Sequence, residues 1–440
     1  MENIRYDISK QFKIKNTSHE IKIGGSNQYR DRDFSARLLG FTYYRKGSQI
    51  LPNTNFSLLD EEHIFASENM GIVDGPGKND GGFKLSESTT EKDSYKASSM
   101  LHAGYVMIDS RISDKLRFIY GARLESYNQK LTSTLFNVTS TKDTTVVDIL
   151  PSVNVVYSIT DQINFRLAYY KTVSRPEFRE LAAFNFYDFV TDFSISGNPN
   201  LTRAKIDNYD VRLEWYPGAG QMVSVSGFYK KINNAVEQAA DVATQNRSLT
   251  FVNVARVDNI GAELEYRLKL SSLLNRDSSK ILSNITVFSN FSYIQSKVDV
   301  SHIIGAEQRP LQGQSPYIIN AGVQYLDSET DWGVSVSYNV IGRRIVIVGS
   351  TGEHSYWENP RHVIDLQLVK TIKKKIELKL NVRDLLAQNQ IFYQDINKNG
   401  KLDKNSEVEN NTKSHGNAYD NIMMNTKLSP TISASVSYKF

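Results

Sequence analysis

Alternation of apolar and polar side chains is the dominant signal of this chain and recurs from end to end, and that pattern most narrows what it can fold into. From Leu116 the apolar positions are Leu116, Phe118, Tyr120, Ala122 and Leu124, and Arg117, Ile119, Gly121, Arg123 and Glu125 take the other parity. Ile163, Phe165, Leu167 and Tyr169 alternate with Asn164, Arg166 and Tyr170, as Tyr209, Val211, Leu213 and Trp215 do with Asp210, Arg212 and Glu214. The same period carries Tyr317 to Tyr325, Trp332 to Val340, Ile376 to Val382, and finally Ile432, Ala434, Val436, Tyr438 and Phe440. A period of two over eight or more residues is a β-strand with one apolar and one polar face. Helical periodicity of comparable length occurs nowhere, so the fold class is all-β.

Two architectures show such alternation, a sandwich in water and a barrel in a membrane. Connection lengths separate them. Short turns at Ser113–Lys115, Thr160–Gln162, Pro217–Gly220, Asp327–Thr330 and Thr371–Lys373 alternate with long polar connections. The long ones fall near 47–92, 134–143, 173–202, 236–248, 300–312, 344–360 and 390–422. Tight turns at one end and long loops at the other describe a transmembrane antiparallel up-and-down β-barrel. The chain has no run of about 18 apolar residues, which excludes a helical span but leaves a barrel open, because strands hide their hydrophobicity by alternating. Aromatics reach 11%, led by Tyr, whose amphipathic ring suits the boundary between hydrocarbon and headgroups.

The pattern predicts about 15 strands, an odd number where single-chain bacterial barrels use even ones. The first strand, near Asn3 to Lys15, precedes a short turn at Asn16–Ser18, so it runs towards the short-turn end, as the last strand does. About seven further strands on the N-terminal side would make the 22 of large plugged transporters. The expectation is one barrel domain over residues 1–440, N-terminally incomplete. Met1 to Lys15 is polar and does not read as a signal peptide.

Several segments resemble the C-terminal barrel of TonB-dependent outer-membrane receptors. They are Thr172-Val-Ser-Arg-Pro-Glu-Phe-Arg-Glu-Leu-Ala-Ala-Phe184, Gly197-Asn-Pro-Asn-Leu201, Asn259-Ile-Gly-Ala-Glu-Leu-Glu-Tyr266, Gln312-Gly-Gln-Ser-Pro-Tyr317, Tyr338-Asn-Val-Ile-Gly-Arg-Arg344 and Asn381-Val-Arg-Asp-Leu-Leu386. The aromatic end at Phe440 resembles the strand signal read by the outer-membrane assembly machinery. This resemblance implies a receptor in the outer membrane of a Gram-negative bacterium that takes up a scarce solute, such as an iron chelate or an oligosaccharide. The implied partners are membrane lipid, TonB, a plug domain, a surface lipoprotein and the small solute. The family's signal peptide, TonB-contacting box and plug lie upstream of the residues matched here. A passive porin or adhesion barrel, and a truncated inactive remnant of such a receptor, stand as alternative readings.

Candidate solute-contacting residues are Arg175, Glu177, Phe178, Arg179, Phe184, Phe186 and Tyr187, with Glu180 and Phe189 beside them. The cluster supplies charge for a lumen mouth and rings to stack on a sugar or a flat chelate. The plainer reading is that its charges pair within the wall and its rings pack the loop on itself. That reading applies more strongly to Arg123, Glu125, Arg212, Glu214, Glu263, Glu265 and Arg267, whose charge a wet lumen tolerates. The stretch Asp395-Ile-Asn-Lys-Asn-Gly-Lys-Leu-Asp403 places oxygen side chains at Asp395, Asn397, Asn399 and Asp403 around Gly400, the start of an EF-hand loop and a suitable cradle for Ca²⁺. Ser406 stands at the twelfth place, so a bidentate acid would have to come from Glu407, and an ion-free Asp/Asn/Gly loop is the plainer reading.

Catalysis finds no support in the motifs. Cysteine is absent, which removes thiolate metal sites and Cys nucleophiles. The seven histidines are scattered, and no G-x-S-x-G, Walker loop or G-x-G-x-x-G occurs. A net charge of +4 is too dilute for nucleic acid.

Overall fold

The computed structural model describes residues 1–15, 17–45, 60–64, 66, 81–135, 138–189, 191, 193–240, 248–276, 279–301, 308–349, 354–403 and 420–440. In chain order the strands begin with β1 (Glu2–Ile14), β2 (Thr17–Ser35), β3 (Leu39–Arg45), β4 (Gly81–Glu87), β5 (Ser94–Arg111), β6 (Leu116–Leu135), β7 (Val138–Thr160) and β8 (Ile163–Ser174). There follow β9 (Asn185–Asp188), β10 (Phe193–Ser196), β11 (Ala204–Trp215), β12 (Met222–Ala240), β13 (Ser248–Lys269), β14 (Ile285–Val298) and β15 (Tyr317–Asp327). The last are β16 (Trp332–Ile341), β17 (Arg344–Ile347), β18 (Tyr356–Glu358), β19 (Arg361–Ile372), β20 (Ile376–Arg383), β21 (Gln390–Gln394), β22 (Asn421–Thr426) and β23 (Thr431–Tyr438).

Fifteen of these make the wall: β1, β2, β5 to β8, β11 to β16, β19, β20 and β23 each pair antiparallel with the next in that order. The strand number and the up-and-down course match the sequence pattern. β1 and β23 are the two outermost strands, and among the described residues no pairing joins them. Most of their apolar side chains stand open, with Ile8 81% and Val436 73% exposed.

Register explains the two faces. Phe165, Leu213, Val225 and Leu264 fall on one rung across β8, β11, β12 and β13, and Tyr169, Tyr209, Tyr229 and Ile260 on another. All are on the parity that stays exposed, so the apolar face looks outwards. Aromatics collect near both ends of this band, with Tyr317 and Tyr325 bounding it on β15 and Trp215 and Trp332 lying beside short turns. Eight residues at ~3.4 Å each and a tilt of ~40° give ~21 Å of height, close to the apolar band of an outer-membrane barrel. The opposite parity is polar and cross-linked along the wall. Arg212 bonds Glu214 and Glu265, each at 2.9 Å, and Arg166 bonds Glu214 at 2.8 Å. Asn339 donates to Asn320 at 2.7 Å, and Gln367 to Asn381 at 2.8 Å.

Two expected connections are corrected. Residues 134–143 are not a long loop, because β6 and β7 continue their ladder out to the Leu135–Val138 pair; its rungs of Thr are as strand-prone as any. The 236–248 connection begins later than expected, because β12 runs on to Ala240, and β13 is joined to β14 through two single-turn helices, Leu270–Leu273 and Lys280–Ser283. The 344–360 and 390–422 stretches contain β17, β18, β21 and β22, a four-stranded extension of the wall beyond the membrane band. Much of 47–92 and 236–248, with Ser406 and Glu407, lies outside the described residues. Among the described residues no helix is long and apolar enough to cross a membrane.

Candidate solute-binding site at the long-loop end

The connection from β8 to β11 folds back onto the polar face of the wall, and two of its three arginines hold its ends. Arg175 bonds Glu125 at 2.7 Å and Asp148 at 3.4 Å, and its guanidinium lies 4.6 Å from the Tyr127 ring centre. Arg203, at the far end, bonds the other oxygen of Asp148 at 2.8 Å. Between them a single helical turn, Phe178–Leu181, is capped reciprocally by Glu177 and Glu180. Phe178, Leu181, Ala182, Phe184 and Leu201 bury themselves against Tyr95, Ala97 and Leu131 of β5 and β6. The Tyr95 hydroxyl is buried there without a hydrogen-bond partner.

The Gly-Asn-Pro-Asn-Leu turn closes this unit. The Asn198 N–H donates to the Glu180 carbonyl at 2.6 Å, and its side-chain amide donates to the Phe251 carbonyl at 2.8 Å. A Cβ on Gly197 would sit 2.0 Å from the Ala182 carbonyl oxygen, so only glycine allows the approach. The sequence-predicted residues therefore divide. Arg175, Phe178 and Phe184 are occupied in fastening and packing the loop. Glu177 pairs with Arg30 at 2.9 Å, and Arg179 lies 4.7 Å from the Phe186 ring centre. Phe186, Tyr187 and Phe189 on and beside the β9–β10 hairpin face solvent, at 40%, 54% and 80% exposure.

A second fastening went unread in the sequence. The segment Arg309-Pro-Leu-Gln-Gly-Gln-Ser-Pro316 fills the notch above the short strands β14 and β15. Arg309 holds both oxygens of Glu237 at 2.8 and 2.7 Å, and the Gln312 N–H donates to Glu237 at 2.8 Å. The Gly313 N–H donates to the Ile345 carbonyl at 2.8 Å, with Gly313 at φ +75°, which explains the glycine. A glutamate among alternating residues on β12 gave no sign that it would be enclosed; its partner lies 72 positions away. Beyond it the tips of β12 and β13 tie together distant connections, through β10 pairing parallel with β13 and an Ala239–Val348 bridge to the end of β17.

Next to this segment lies a cavity of about 700 Å³, bordered by Tyr317, Gln314, Arg343, Trp357, Asn359 and Tyr393 among others. Arg343 lies over Trp357, 3.7 Å from the ring centre, and bonds Asp395 at 2.6 Å. The Tyr393 hydroxyl has its pKa raised by burial. The 395–403 loop is closed on itself. Asp395 accepts the N–H groups of Asn399 and Gly400 at 3.1 and 3.0 Å, and both Asn397 and Asn399 donate to Asp403 at 2.6 Å. Among the described residues no group of three His, Cys, Asp or Glu side chains is placed to hold a metal.

The family model for the TonB dependent receptor-like beta-barrel matches residues 3–385. The chain belongs to the TonB-dependent receptor β-barrel family. Solved receptors share the fold. The ferric citrate transporter FecA is 13% identical with a TM-score of 0.60, over 100% of this chain and 54% of its own. The siderophore receptor PiuA from Acinetobacter baumannii is 12% identical with a TM-score of 0.60, over 100% and 56%. The copper transporter OprC is 13% identical with a TM-score of 0.58, over 100% and 56%. This TonB-dependent receptor barrel thus spans just over half the length of the solved receptors it matches. No curated protein matches the sequence. TonB-dependent receptors are outer-membrane receptors and transporters of Gram-negative bacteria rather than a known class of enzymes.

Proposed function

We propose that this chain forms the wall and outer loops of a receptor in the Gram-negative outer membrane for TonB-dependent uptake of a scarce solute. The observation that carries this reading is the 175–203 connection. Its arginines and inner aromatics anchor it to the polar wall, and that rigid base presents Phe186, Tyr187 and Phe189 to the outside. Rings exposed on a fixed hairpin offer apolar faces on which a solute can stack. A passive pore has no need of such a platform. The partners on this reading are TonB, a plug domain and a surface lipoprotein, with Phe440 as the assembly signal. The Asp395 loop is at most a weak Ca²⁺ site, because Arg343 already compensates its first carboxylate.

Uptake measured in energised cells tests the reading. Accumulation of a labelled solute that requires this gene and stops when TonB is deleted supports it. Equal accumulation without TonB makes the protein a passive pore. Ca²⁺ that protects the 395–403 loop from protease at micromolar levels would overturn the weak-site assignment.

A further inference from the structure

The cavity beside Arg343 has a position and a chemistry that point to one class of solute. Arg344 pairs with Glu358 and Ile345 with Trp357, continuing the Ile341–Arg361 register without a slip. Arg343, Ile345 and Trp357 therefore share the parity of Ile341, Arg361 and Asp365, the polar face of the wall, while Tyr293 and Tyr317 on the cavity's other side belong to the opposite parity at the ends of β14 and β15. Tyr393 pairs with Trp357, borders the cavity and is wholly buried, so its ring is fixed in place. At about 700 Å³ the space lies within the ~300–1,000 Å³ of small-molecule sites.

The charges decide between kinds of ligand. Among the described residues no acid borders the cavity. Its enclosed cation, Arg343, is already neutralised by Asp395 and stacked on Trp357, and Lys401 stands exposed at the rim. An anionic metal chelate would lose hydration here without meeting an uncompensated buried cation. A neutral ring with many hydroxyls loses little. Its C–H face can lie on an aromatic ring and its hydroxyls can bond the side-chain amides of Gln314 and Asn359. We infer that this cavity binds a neutral, hydroxyl-rich ring compound, a saccharide, as the solute of the uptake proposed above; the inference rests on that reading.

The chain contains three tryptophans, and two of them, Trp215 and Trp332, lie on the apolar face beside short turns. Trp215→Phe together with Trp332→Phe leaves Trp357 as the single tryptophan of these 440 residues, and a further Trp357→Phe change gives the blank that isolates its signal. The full-length protein carrying these changes, purified from outer membranes in detergent, is titrated with maltohexaose, cellohexaose and ferric citrate while tryptophan emission is followed. A saturable change with at least one oligosaccharide and none with ferric citrate is expected. Asn359→Ala and Gln314→Ala should each weaken that binding about tenfold, with unchanged circular dichroism showing that each variant folds. Saturation by ferric citrate, flat titrations with both sugars, or sugar binding indifferent to both variants overturns the inference. TonB-dependent uptake measured in parallel separates the two readings. Uptake of a chelate with Trp357 silent to sugar removes the saccharide alone, and no TonB-dependent uptake removes the receptor reading beneath it.

Discussion

Glu237→Gln tests whether the segment above β14 and β15 is held by one buried ion pair. The Glu237 side chain is fully enclosed, and Arg309 beside it is only 17% exposed. Three donors converge on the carboxylate, two from Arg309 and the third from the Gln312 backbone. The amide keeps the shape but removes the charge, and it turns an N–H₂ donor towards a guanidinium that can only donate. Breaking a buried pair from one side costs ~3–5 kcal/mol, or roughly two to three and a half decades in the local opening equilibrium. Opening should be confined to what the pair fastens, namely the Gly313 N–H on Ile345 and the Ala240 N–H on Val348, at 2.8 and 2.9 Å. Amide hydrogen exchange read by mass spectrometry measures it, with wall peptides of β11 as the internal reference. Exchange unchanged at 309–316, or raised equally along β11, would refute the reasoning. Adding Arg309→Met removes the stranded charge and should restore a large part of the protection.

Phe184→Ala removes a ring that is 3% exposed in the cluster under the 175–203 connection, so it should cost ~3–5 kcal/mol of local stability. Phe189→Ala, at 80% exposure, should stay within ~0.5 kcal/mol; equal protease sensitivity of the two variants would show that the connection is not docked. In the outer β3–β4 hairpin region, the Arg37 fork and the Thr89 hydroxyl hold the Glu87 carboxyl at about 2. A depressed acid contributes its contact above the ordinary carboxylate range and loses it as pH falls through that depressed value. Carboxyl NMR should therefore place the Glu87 midpoint near 2 and return it to the ordinary range in Arg37→Ala; a wild-type midpoint near 4 contradicts the pairing. Unpaired backbone groups on β1 and β23 would cost several kcal/mol each in lipid. The 440-residue chain by itself is accordingly expected to give no stable unitary conductance in planar bilayers, and a steady single-channel step would disprove this.

How legible the molecule was depends on the range of the interactions that shape each part. β1 ends within a residue of the boundary read from alternation, and most tight turns fall where Asp, Gly or Pro interrupt it, the Lys373–Lys375 turn being an exception. These are local effects, since a strand with one face in hydrocarbon must alternate along its own length. The β6–β7 extension was misread because its Thr and Ser residues suit a loop and an exposed ladder equally well, and the cross-strand partner settles the matter. Arg175 shows the same limit at the site. Its residue type allows a ligand contact or a structural pair, and the choice was made by Glu125 and Asp148, brought beside it by pairings along β6, β7 and β8.

What the sequence determined by itself was the all-β wall, its strand number, its apolar and polar faces and its kinship, because each is written in periodicity or in contiguous motifs. What only the tertiary structure decided was which side chains of the long connections are anchors and which are open. The folding of 175–203 onto β5 and β6, the enclosure of Glu237 by Arg309, and the meeting of Arg343, Trp357 and Tyr393 all join residues far apart in the chain. The free energy of such contacts comes from excluding water between surfaces that meet only once the wall has formed, and no residue carries that information alone.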